Sequence, residues 1–73
     1  MSKEMSFFIY LLERYAAFRG ETADRTLALL KDHGLYDYAV DMYELYHVER
    51  LENAFEDLDR RLLMPKGTHE AGL

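Results

Sequence analysis

The chain has 73 residues, no cysteine, and 14 acidic against 9 basic side chains, for a formal net charge of −5. That length allows one domain with a modest core and leaves little room for an enclosed substrate cavity. The lack of cysteine excludes disulfides, thiolate nucleophiles and cysteine-based zinc sites, and the acidic balance disfavours direct contact with nucleic acid.

The first predicted element is a helix over 3–19. Ser2 suits its N-cap, and Arg19 followed by Gly20 reads as a basic last turn and a left-handed terminator. Inside it lies the apolar block Phe7-Phe8-Ile9-Tyr10-Leu11-Leu12. On a helical wheel Met5, Phe8, Ile9, Leu12, Tyr15 and Ala16 share an arc of roughly 120°, the width of a core-facing stripe. Phe7, Leu11 and Phe18 form a second stripe, with Tyr10 and Arg14 beside it. Either another helix of the chain covers this second stripe or another molecule does. Three large apolar side chains are worth on the order of 5 kcal/mol when buried, which is comparable with the roughly 3–5 kcal/mol that one core supplies in so small a domain. This favours a partner. The block is broken by Glu13-Arg14, has no small-residue cleavage site and follows the acidic Glu4, so neither a signal peptide nor a membrane span is expected. A cytoplasmic location with no membrane association is the corresponding expectation.

A second helix is predicted over 23–33, capped by Thr22 and ended by Gly34, with Ala23, Leu27 and Leu30 on its inner edge. The short link at Gly20-Glu21 makes the first two helices an antiparallel hairpin. Between Leu35 and Met64 no glycine or proline marks a boundary. Leu35, Tyr38, Ala39, Met42, Leu45 and Tyr46 make one stripe, and Leu51, Ala54, Phe55, Leu58 and Leu62 another. On one straight helix these stripes would point roughly 180° apart. A turn at His47-Val48-Glu49 brings both to one core, giving helices over 36–46 and 49–63; an unbroken helix touching different partners with its two halves is the alternative. Glu56 with Arg60 and Asp57 with Arg61 have the spacing of helical ion pairs. The expected fold is an all-α, compact bundle of four short helices, a single domain over 1–64 followed by a frayed tail over 65–73.

The charge excess lies between residues 37 and 61, where eight carboxylates face three arginines. That is a solvated face or an aid to meeting a basic partner. Tyr36, Tyr38, Tyr43 and Tyr46 crowd the same region. Tyr38 and Tyr46 match the inward stripe, which leaves Tyr36 and Tyr43 for an edge or interface. His47, near Tyr43, Tyr46 and, if the chain turns back, Asp57, is read as a structural polar site fixing the turn; acid–base chemistry would need a pocket and a second positioned group. No metal-ligand spacing, phosphate loop or cofactor motif occurs, so no cofactor, metal or enzymatic activity is expected.

Met5-Ser6-Phe7-Phe8, Leu12-Glu13 followed by Tyr15, Gly34, Tyr43 with Tyr46-His47, and Glu52 with Asp57-Leu58 together resemble a family of small bacterial proteins known only as a domain of unknown function. Its members are often encoded beside toxin-like proteins with an ADP-ribosyltransferase-type domain. The likeness runs from about Met5 to Leu62. A small hydroxyl residue usually follows the histidine there, a residue type that could cap the last helix; Val48 stands in its place. The resemblance implies an antitoxin-like or accessory partner in a toxin–antitoxin-like module, with no active site to carry over. The expectation is therefore a protein-interaction module whose interface comprises Phe7, Tyr10, Leu11, Arg14, Phe18, Tyr36 and Tyr43. Its partner would be a toxin-like protein. A non-catalytic homodimer using the same stripe is the alternative.

Overall fold

A computed structural model describes residues 1–64; the expected tail over 65–73 lies outside the described residues. The described chain is all-α: α1 (Lys3–Arg19), α2 (Ala23–Asp32), α3 (Tyr36–Asp41), α4 (Tyr43–Tyr46) and α5 (Leu51–Leu62).

Capping chemistry sets the first four boundaries. Ser2 Oγ accepts from the Met5 amide at 3.1 Å and starts α1. Gly20, at φ 72°, ends it: the Glu21 amide reaches back to the Ala16 carbonyl while the Gly20 amide bonds that of Ala17. This is the paired terminator that needs a left-handed residue, which glycine adopts without a Cβ clash. Thr22 Oγ1 caps α2 through the Arg25 amide. The same terminator recurs at Gly34, φ 69°, with the Leu35 amide on the Leu30 carbonyl. His33 closes the helix as its cap, so α2 stops one residue before the expected end.

The expected 36–46 helix is divided at Met42, whose backbone at φ −81° and ψ 11° ends α3 and begins α4. The turn expected around His47 is present, with weak bonds from the Val48 and Glu49 amides, both at 3.4 Å. Arg50 is the N-cap of α5, with extended backbone and no side-chain cap bond, so the last helix starts at Leu51 and not at 49. Position 48 therefore has no capping role.

α1 is the spine. Phe8, Leu11, Leu12 and Tyr15 from it meet Leu30, Leu35, Ala39, Tyr46, Ala54, Phe55 and Leu58 in one core. Two expectations for α1 are corrected here. Leu11 is 1% exposed and belongs to the core, whereas Ile9 is 43% exposed. The buried arc is turned about 40° from the expected one, because α5 lays Phe55 against Tyr15 and Phe18 on the Leu11 side of α1 while Ile9 on the other side stays exposed. Leu45, expected inward, is 49% exposed: the division at Met42 rotates it out and leaves Tyr46 as α4's buried residue.

Candidate functional site

Along one outer edge of α1, Lys3, Phe7, Tyr10, Arg14 and Phe18 follow each other at helical spacing and form an aromatic strip interleaved with two cations. Phe7 is half-buried. Its ring lies 5.7 Å from Tyr43, 6.4 Å from His47 and 6.1 Å from Tyr10. Tyr43 and His47, one turn apart across the end of α4, stack with centroids 4.1 Å apart, and His47 Nδ1 lies 2.6 Å from the Tyr43 carbonyl oxygen. Lys3 sits over the Tyr43 ring at 5.9 Å and Arg14 over the Tyr10 ring at 5.3 Å. At the far end Phe18 stacks on Phe55 at 4.8 Å yet keeps 58% of its surface exposed; Tyr10 keeps 46%.

Five of the seven expected interface residues, Phe7, Tyr10, Arg14, Phe18 and Tyr43, thus share this strip. Leu11 lies beneath it in the core. Tyr36 is elsewhere, its ring edge-on to Phe8 and under Lys31. His47 and Asp57, paired in expectation, are separate: His47 joins the strip, and Asp57 belongs to a cluster that the sequence did not reveal.

In that cluster the Tyr38 and Tyr46 hydroxyls both donate to Asp57 Oδ2, at 2.5 and 2.6 Å. Arg60 and Arg61 donate to Oδ1 at 2.8 and 3.3 Å. The expected Asp57–Arg61 pair is therefore present, and Arg60 also turns to Asp57. Burial pushes the Asp57 carboxyl up, but the two tyrosine hydrogen bonds and the arginine charges together outweigh it and hold the group below the usual aspartate range. Burial first, and the bond to Asp57 second, push the Tyr38 and Tyr46 phenols up. A parallel arrangement joins α1 to α5: the Tyr15 hydroxyl donates to Asp59 Oδ1 at 2.5 Å, with Arg19 3.6 Å from the same oxygen. Burial and Asp59 raise the Tyr15 phenol despite Arg19. These phenols are fixed donors to carboxylates that arginines also hold, a geometry that fastens α5 to α1, α3 and α4. It is not the geometry of a nucleophile beside a free base.

A cleft of about 440 Å³ lies between α2 and α5, lined by Arg19, Leu29, His33, Asp59, Leu62 and Leu63. Its charged groups are already paired with each other or with backbone: Arg19 with Asp59, and His33 Nδ1 3.1 Å from the Leu29 carbonyl. Among the described residues no group of three or more His, Asp or Glu is placed to hold a metal ion, and no helix is long and apolar enough to cross a membrane.

Fold and surface together define a small all-α domain with an aromatic, cation-flanked strip on its first helix. Residues 6–62 match the family described as Protein of unknown function (DUF3791), and the chain belongs to that family. No curated protein and no solved structure matches it.

Proposed function

We propose that this domain is a non-catalytic protein-interaction module that binds a partner protein through the strip of Phe7, Tyr10, Arg14, Phe18 and Tyr43. The observation that carries the reading is the exposure of Phe18 and Tyr10, 58% and 46%, on a surface otherwise continuous with the core. Large aromatic side chains bury 150–250 Å² each, so covering these two would remove roughly 100 Å² apiece from water. At about 25 cal/mol/Å² that returns on the order of 5 kcal/mol before the costs of association. The partner class that the family resemblance supports is a toxin-type protein encoded nearby, with this chain as its antitoxin-like or accessory subunit.

The experiment is co-expression with the product of the adjacent gene, followed by size-exclusion chromatography. The parent chain should co-elute with that product, and a Tyr10→Glu/Phe18→Glu variant should elute alone while keeping its helical circular dichroism. A complex that survives the double substitution overturns the surface assignment. A parent chain that sediments as a tight homodimer and ignores the neighbouring product overturns the heterologous partner.

A further inference from the structure

The cations of the described residues fall into two groups. Arg19, Arg25, Arg50, Arg60 and Arg61 each have a carboxylate within 4.0 Å. Lys3 and Arg14 have none among the described residues; both are exposed and rest on the faces of Tyr43 and Tyr10. In a chain of net charge −5, with Asp37, Asp41, Glu44, Glu49 and Glu56 exposed, carboxylates are not scarce. Lys31, over Tyr36, likewise has none among the described residues but lies on α2 away from the strip, whereas Lys3 and Arg14 bracket Phe7 and Tyr10 on α1. The order Lys3, Phe7, Tyr10, Arg14 steps by four, three and four residues, an average of about 3.7 that keeps all four on one straight edge of α1, along which a second helix can lie. At 1.5 Å per residue the two charges stand about 16 Å apart along α1.

Resting on the interaction reading above, we infer that the element received by this surface is an acidic amphipathic helix of a partner protein. Its apolar side chains pack on Phe7 and Tyr10, and its carboxylates reach Lys3 and Arg14. Charge decides against a second copy. In the antiparallel register that sets Phe7 against the Tyr10 of a second copy, Lys3 falls opposite Arg14. In the parallel register each cation faces its own duplicate. Like charges opposed across a seam disfavour both pairings. Carboxylates at the same two places would be matched, and each cation already lies on a ring that holds it near a fixed position.

The test uses the ¹⁵N-labelled full chain and two synthetic helical peptides as long as α1, one with a leucine seam flanked by glutamates and the other with lysine at every glutamate. A short oligothymidylate serves as the third probe. The acidic peptide should shift the amide signals of α1 from Lys3 to Phe18. Its affinity should fall about tenfold in a Lys3→Gln/Arg14→Gln variant, as two lost ion pairs imply, and should fall with added salt. Equal binding of both peptides at the strip would leave an interaction surface but overturn the charge inference. Binding of the oligonucleotide in place of the peptide would overturn both. Concentration-dependent self-association through the same amides would make a second copy the occupant and overturn the acidic helix. No shift with any probe, in a chain that still co-elutes with its neighbour's product, would overturn this inference alone.

Discussion

Replacing Asp57 by alanine tests the largest polar commitment in the structure. Its carboxylate receives two phenol hydroxyls and two arginines, and its side chain is 15% exposed. The Tyr46 hydroxyl belongs to a residue 2% exposed, so removing its acceptor leaves a buried donor unpaired. A hydrogen bond to a charged group is worth about 1.5–3 kcal/mol. Counting Tyr46 in full, half-buried Tyr38 in part, and the more exposed arginine pairs at a few tenths gives a loss of about 4 kcal/mol. A domain of this length holds roughly 4–11 kcal/mol, so Asp57→Ala should leave a marginal fold. Asp57→Asn, which keeps one acceptor, should cost about half as much. Urea denaturation followed by far-UV circular dichroism measures both. A double-mutant cycle with Tyr46→Phe should return a coupling of about 1.5 kcal/mol. Additivity of the two substitutions, or an alanine variant within about 1 kcal/mol of the parent, would refute the reasoning. The pH dependence follows with its sign. The folded carboxyl lies below its unfolded value, so the unfolded chain takes the proton first as pH falls. The stabilisation is present above about pH 4 and is lost as pH drops through the folded value. Asp57→Asn should therefore flatten the acid limb of the stability curve.

At alkaline pH the phenols act in the opposite sense. Tyr15, Tyr38 and Tyr46 are raised in the fold, so their contribution is intact below about pH 10 and declines above it as the unfolded chain ionises first. Their phenolate absorbance should appear together with loss of helical dichroism; ionisation of these three in a folded chain would count against their bonds to Asp57 and Asp59. Leu11→Ala should cost about 3 kcal/mol through a core cavity, and Ile9→Ala less than about 1 kcal/mol; thermal melts giving the reverse order would put α5 on the wrong edge of α1. Arg50→Asp places a capping side chain where the N-cap of α5 has none and should gain about 1 kcal/mol, read from urea midpoints. An unchanged or lower midpoint would mean that the Arg50–Glu52 pair outweighs a cap.

The parts of this fold legible in the sequence are those fixed by neighbours in the chain. Ser2, Gly20, Thr22 and Gly34 act within their own turns, and the phase conflict between the Leu35 and Leu51 stripes demands the turn after Tyr46 whatever the tertiary packing. The edge of α1 that faces inward is of another kind. Leu11 and Ile9 are equally apolar and lie on opposite edges, and only the landing place of α5 decides between them. The division at Met42 has no glycine or proline to announce it, since its backbone stays close to helical. Asp57 shows only its local partner Arg61; Tyr38 and Tyr46 lie 19 and 11 residues away. The candidate strip was legible as a set of rings at helical spacing with Arg14 beside them, but Lys3 and the pairing of each cation with a ring were not, because cations and tyrosines in a sequence do not say who holds whom.

The tyrosines show what decides. Tyr15, Tyr38 and Tyr46 turn their hydroxyls to the aspartates of α5. The guanidiniums of Arg19 and Arg61, which lie over Tyr15 and Tyr38, are held by those same carboxylates. Tyr10, Tyr36 and Tyr43 lie further out, and the cations over them have no carboxylate among the described residues. One residue type thus serves two purposes: inward tyrosines fasten a helix, and outward tyrosines hold charges in place. Two of the three outward sites fall on the α1 strip. That coincidence is the reason we propose the strip as a site for acidic, apolar protein surface in preference to the exposed apolar residues Ile9 and Leu45, over which no cation is arranged among the described residues.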